Sequence, residues 1–72
     1  MASTPMPAYL RFMAHYVHLT WRDGRREDFE VKTNDRAAAI GHAEGWMRHE
    51  RVLSAQVTNE DGRLVWSEVR NA

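Results

Sequence analysis

Two short segments, Arg22-Asp23-Gly24-Arg25 and Glu60-Asp61-Gly62-Arg63, constrain this chain more than anything else in it. Each Asp-Gly pair lies between two runs of alternating apolar and polar residues, the strongest short-range signal for a β-hairpin. Before the first turn, Val17, Leu19 and Trp21 point one way and Tyr16, His18 and Thr20 the other; after it, Phe29 and Val31 share a face. Before the second turn, Leu53, Ala55 and Val57 share a side, and Arg63 to Val69 reads as a fourth strand.

The register of the first hairpin follows from its faces. A two-residue Asp23-Gly24 loop sets Leu19 opposite Asp28 and His18 opposite Phe29, mixing apolar and charged groups on both faces. A three-residue Arg22-Asp23-Gly24 loop, with Gly24 in the left-handed region, pairs Val17 with Phe29 on the core side. It also pairs His18 with Asp28 and Tyr16 with Glu30 outside. The three-residue loop is expected.

Between the hairpins, Thr33-Asn34-Asp35 offers helix caps and Arg36-Ala-Ala-Ala-Ile40 is strong helix-forming sequence, predicting a helix from about Asp35 to about Glu50. Helical spacing puts Ala39, Ile40, Ala43, Trp46 and Met47 on its core face. Ala38, Gly41, His42, Gly45 and His49 lie opposite. The predicted architecture is α+β, in the order ββαββ: a four-stranded antiparallel sheet with one helix packed on one face. Residues 9–70 form this single domain, and residues 1–8, which hold both prolines, form a frayed tail. The hairpin at Asp23-Gly24, the Thr-Asn-Asp-Arg-Ala-Ala-Ala helix start and the closing Val57-Thr-Asn-Glu-Asp-Gly-Arg-Leu-Val-Trp66 segment together resemble small bacterial and phage ββαββ domains of unknown function. That resemblance spans Tyr16 to Val69 and implies a topology, not an active site.

A chain of 72 residues buries only about 60% of its unfolded surface, so one thin core is all it can build. It has no cysteine for disulfides or a thiolate metal site, which leaves tight packing and oligomerisation as sources of stability. Ten basic against ten acidic residues argue against a generally basic nucleic-acid binder. The sequence shows neither a leader nor a spanning stretch, so a cytoplasmic protein is expected.

Catalysis is not expected, because no nucleophile stands in a recognisable pattern. No metal or other cofactor is expected either. His15 and His18 fall on opposite strand faces, and His42 and His49 are two helical turns apart. What remains is surface. A three-residue loop at Glu60-Asp61-Gly62 turns Leu64 and Trp66 away from the helix, whereas a two-residue loop turns them inward and leaves Val65 and Val69 outside. Either register leaves apolar groups on the uncovered sheet face, joined there by Tyr16 and Phe12.

The expected function is therefore a non-enzymatic protein-interaction module, a homodimer that uses the uncovered sheet face or the edge of the long first strand. Its contact residues are Phe12, Tyr16, His18, Leu64 and Trp66. A second contact is the helix strip Ala38, Gly41, His42, Gly45 and His49. A small phage- or plasmid-type inhibitor or a regulatory subunit fits that description. The alternative is a nucleic-acid module in which Arg22, Arg25 and Arg26 grip phosphates beside Trp21 as a stacking platform.

Overall fold

The computed structural model describes residues 14–71. The expected tail and the contact residue Phe12 lie outside the described residues. Strand β1 (His15–Trp21) and strand β2 (Arg26–Val31) form the first hairpin, helix α1 spans Arg36–Met47, and β3 (Val52–Asn59) and β4 (Leu64–Val69) form the second hairpin. The four strands make one antiparallel sheet in the order β2-β1-β3-β4. The fold is α+β, ββαββ, as expected. The first strand does not supply a free edge: β1 is paired on both sides, and the edges of the sheet are β2 and β4.

The first hairpin closes on the three-residue loop. Gly24 takes a φ of +93°, its N–H donates to Trp21 O at 2.9 Å, and Trp21 N–H donates to Arg25 O at 2.8 Å. Val17 then stands opposite Phe29, His18 opposite Asp28 and Tyr16 opposite Glu30. The second hairpin begins in the same way, with Gly62 at +80°, Gly62 N–H on Asn59 O at 3.0 Å and Asn59 N–H on Arg63 O at 2.9 Å. Its register then slips. Thr58 pairs with Leu64 but Val57 pairs with Trp66, so Val65 is an extra residue in β4. This β-bulge sends Leu64 to the outer face and Trp66 to the helix side, where Trp66 and Val65 pack half-buried against the core. Each of the two expected registers thus holds on one side of the bulge, and the expectation that Leu64 and Trp66 share a face is corrected.

A second bulge lies where β1 meets β3. Thr20 pairs with Ser54 and Trp21 with Val52, which leaves Leu53 as the extra residue. Val52 becomes fully buried in place of the expected Leu53, which is half-buried.

Helix α1 starts where its cap chemistry predicts. Asp35 Oδ1 accepts the Ala37 N–H at 3.0 Å, and Thr33 Oγ1 accepts the Asp35 N–H at 3.0 Å. It ends about three residues before the expected Glu50. The last turn tightens through Arg48 N–H on Gly45 O at 3.2 Å and His49 N–H on Trp46 O at 2.9 Å. Arg70 then takes up the carbonyls that a longer helix would have used: its Nη2 donates to Met47 O and, at 3.3 Å, to His49 O. Its Nε donates to Val52 O at 3.1 Å. No helix among the described residues is long and apolar enough to cross a membrane.

The core lies between α1 and the two central strands. Val17, Leu19 and Trp21 of β1 and Val52, Ala55 and Val57 of β3 meet Ala39, Ala43 and Met47 of the helix. Ala39, Ala43 and Ala55 are all fully buried, and the small side chains let the helix sit close on the sheet. Ile40 and Trp46, also expected on the core face, pack beside them half-buried. The helix covers the central strands, so the inward residues of the edge strands, Phe29 and Val31 on β2 and Trp66 on β4, are only partly covered.

Candidate functional site

The described residues offer three surfaces: the outer sheet face, the first hairpin turn and the exposed side of the helix. On the outer face, alternation from the observed registers brings together Tyr16, His18 and Thr20 of β1 with Arg26, Asp28 and Glu30 of β2. Across from β1 stand Ser54, Gln56 and Thr58 of β3, and Leu64, Ser67 and Val69 of β4 complete the face. The face is largely polar. Among the described residues the exposed large apolar side chains are Leu64, at 56%, and Val69, at 68%, and both stand on edge strand β4. Tyr16 is half-buried. The continuous aromatic patch expected here does not form from the described residues, because the bulge at Val65 removes Trp66 from the face.

His18 sits at the centre of that face, bonded on both sides. Its Nδ1 lies 2.7 Å from Asp28 Oδ1 on β2, the expected cross-strand pair. Its Nε2 lies 2.8 Å from Thr58 Oγ1 on β3. Where the ring is neutral and Asp28 ionised, the carboxylate can only accept, which puts the proton on Nδ1 and leaves Nε2 to accept from the Thr58 hydroxyl. The order of atoms is that of a hydroxyl–imidazole–carboxylate relay. Its surroundings differ from those of an enclosed site: the Asp28 side chain is 72% exposed and that of His18 35%. Water competes for each bond there, and an exposed pair of this kind contributes about 0–1 kcal/mol. The arrangement works as a clasp joining β2, β1 and β3. Thr58 was not legible in the sequence, since its approach to His18 depends on β1 pairing with β3 across forty residues of chain.

At the first turn, the alternative nucleic-acid site does not assemble as expected. Trp21 is 8% exposed and belongs to the core, its ring edge-on to Trp46 at 6.0 Å and to His49 at 5.2 Å. It has no free face for a base, because the Arg25 guanidinium lies over it, 5.0 Å from the ring centre. Arg25 also donates through Nε to Asp23 Oδ2 at 3.0 Å, and Arg22 Nε donates to Glu50 O at 2.6 Å. Arg26 stands apart, on the outer face opposite Thr20.

The backbone N–H of Arg25 donates to Asp23 Oδ1 at 2.9 Å. That bond, more than the nearby guanidinium, holds the Asp23 carboxyl below the 3.8 of an unperturbed aspartate. A lowered folded-state value means that the contribution is present above the unfolded value and fades as pH falls through the folded one. The Arg25 amide proton shift should therefore titrate with a midpoint below 3.8 in NMR spectra. In Asp23→Asn, which keeps an accepting oxygen but no charge, that titration should vanish while the turn persists.

On the helix, Ala38, Gly41, His42 and Gly45 are all exposed, as expected for its outer side, whereas His49, also expected there, is exposed in the turn beyond Met47 because the helix ends early. They do not form one uniform strip. His49 turns toward Trp21, and its Nδ1 accepts the Arg51 N–H at 3.3 Å. Ala38 and His42 instead border a groove of about 490 Å³ between the helix and edge strand β2. Gly41 and Gly45 stay open: a methyl group built on either meets nothing within 4 Å.

The described residues contain no cluster of three or more metal-ligating side chains. The chain matches no family model, and no curated protein or solved structure is detectably similar to it.

Proposed function

We propose that this chain is a small interaction module that self-associates by continuing its sheet across the β4 edge. One observation carries this reading: the two exposed large apolar side chains, Leu64 and Val69, stand on the same face of the same unpaired edge strand. An edge strand presents a row of free backbone donors and acceptors, and natural edges are commonly blocked by an outward Lys or a proline. Between Leu64 and Val69 β4 has neither, and its edge is guarded only by the bulge at Val65 and the inward Glu68.

A two-fold axis through Ser67 pairs β4 with a second β4 antiparallel. With the bulge counted as one step, each Leu64 meets the partner's Val69 on the outer face, and each Trp66 meets the partner's Glu68 on the helix side. Such an interface is self-complementary, as a two-fold contact must be, and it withdraws both apolar side chains from water. A domain with so thin a core gains stability by the same step. The remaining members of the expected contact set, Tyr16 and His18, lie two strands inward and flank this contact without forming it. A cytoplasmic setting belongs to the same proposal, since a fold without cysteine draws nothing from an oxidising compartment. A role as a small inhibitor or regulatory subunit of a larger assembly suits a module of this kind.

Sedimentation equilibrium between about 10 µM and about 1 mM, the range in which so small a contact associates, should show the mass rising from 8.4 kDa toward twice that value. Val69→Lys places the edge-blocking residue at an exposed position, so it should keep the circular dichroism spectrum and hold the chain monomeric throughout. A parent chain that remains monomeric over the whole range overturns the proposal.

A further inference from the structure

The groove of about 490 Å³ between α1 and edge strand β2 lies across the sheet from the β4 contact. Its floor is aromatic. The Phe29 and Trp46 rings are stacked at 5.5 Å and within 4° of parallel, and both residues are half-buried, so part of the stack stays open. Val17 and Val31 continue the apolar lining on the sheet side, and Ala38 keeps the helix side low.

The polar groups at its rim favour one sign of ligand. Lys32, in the chain just past β2, and His42, on the helix, both line the groove and both are exposed. Among the described residues the ion pairs are His18 with Asp28 and Arg25 with Asp23, so no carboxylate lies within pairing distance of Lys32. Glu30 borders the groove through its place on β2, but alternation puts its side chain in the outer row, opposite Tyr16. Asp35, further along the chain from Lys32, turns its Oδ1 to the Ala37 N–H at the start of the helix.

The geometry points to this groove as a binding site for a small aromatic carboxylate. The planar body lies against the open part of the Phe29–Trp46 stack, in the offset or edge-on contact that aromatic rings favour. The carboxylate lies at the rim, where it accepts a charge-assisted bond from the Lys32 ammonium and an N–H from the His42 ring. Each half of the ligand selects against an alternative. A neutral ring leaves Lys32 without a counter-charge, and an organic cation brings like charges together beside a low-dielectric surface. An inorganic anion meets the rim but leaves the rings in water. The volume falls within the range of about 300–1,000 Å³ usual for small-molecule sites. This inference stands on its own observations and does not require the dimer.

The test uses the full chain, labelled with ¹⁵N, and probes of one shape and different charge: 2-naphthoate, 2-naphthamide and 2-naphthylmethylammonium. Naphthoate should shift the Trp46 indole N–H and the backbone amides of Val31, Lys32, Ala38 and His42 saturably, with a dissociation constant on the order of 1 mM or tighter. The neutral amide should bind about threefold more weakly and the ammonium at least about tenfold. Lys32→Glu should reverse the order of naphthoate and ammonium. Ala38→Leu, which raises a branched side chain over the groove, should weaken all three by about tenfold or more. Both positions are exposed, so both variants should fold. Val69→Lys should bind naphthoate as the parent chain does, so loss of the dimer and loss of the groove are read separately. Equal binding of naphthoate and ammonium would overturn the inference, as would naphthoate binding that Lys32→Glu leaves unchanged. Shifts centred on Arg22 and Arg25 of the first turn overturn it too. So does the lack of any saturable shift at Trp46, the result if residues 1–13 or a second copy fill the groove.

Discussion

Trp21→Ala should abolish cooperative unfolding at room temperature. The indole is the largest side chain in the core and links three parts of it: the end of β1, the helix through the edge-on contact with Trp46, and the chain beyond the helix through His49. Truncating a buried aromatic to alanine costs about 3–5 kcal/mol in transfer and cavity terms. At the usual stability per residue, a chain of 72 residues is stable by only about 4–11 kcal/mol. The loss is comparable with the whole at the lower end of that range. Trp21→Phe is the informative contrast, because the ring is kept while the indole nitrogen is removed. Trp21 Nε1 is buried and has no hydrogen-bond partner among the described residues, and a buried donor without a partner carries an uncompensated desolvation cost. Removing it recovers part of what the smaller ring loses, so Trp21→Phe should stay folded with a modestly lower midpoint. Urea titrations followed by far-ultraviolet circular dichroism would measure both. If the urea midpoint of Trp21→Ala lay close to that of the parent chain, the indole would not hold the core together, and its burial would have to be read as incidental.

What was legible in the sequence divides along the range of the interactions. The first hairpin was readable to the residue, because its turn and its faces are local and only the three-residue loop put Val17 and Phe29 on one side. The helix start at Asp35 was readable for the same reason. Its end was not, since the group that bonds the carbonyls there is Arg70, more than twenty residues away in sequence. The second hairpin exposes a limit of periodicity itself. Alternation assumes an unbroken ladder, and the bulges at Val65 and Leu53 each insert one residue that turns its neighbours over. For that reason Leu64 and Trp66 part company, and Val52 replaces Leu53 inside. Strand order was also out of reach. That β1 lies at the centre follows from its pairing with β3, and from that pairing come the Thr58 bond to His18 and the assignment of the free edges to β2 and β4. Leu64 faces outward as the three-residue loop predicts, and only its place on a free edge comes from the strand order.

Gly41→Ala together with Gly45→Ala should raise the thermal midpoint by about 4–16 °C. Of the four glycines, only Gly24 and Gly62 have positive φ, so the two in α1 sit in ordinary helical backbone that alanine adopts without strain. Each substitution replaces the most disordered residue of the unfolded chain by the best helix former, a gain of about 0.5–1 kcal/mol. In a domain of this size each kcal/mol moves the midpoint by about 4–8 °C. Nothing opposes the gain within the described fold, since a Cβ at either site meets no atom within 4 Å. Alanine at Gly24 or Gly62 should do the reverse, because their backbone lies where an L side chain is strained. Easily stabilised positions are ordinary in natural chains, so the two glycines bear on contact only if a bare surface matters to association. The double variant tests that reading alongside the energetics. If the melting point rises and self-association, measured as for Val69→Lys, is unchanged, the helix strip plays no part in the dimer. If the melting point rises and the dimer weakens, the added methyls stand where a copy of the chain must approach. If it does not rise at all, the helix is already held by contacts that the glycine cost does not reach.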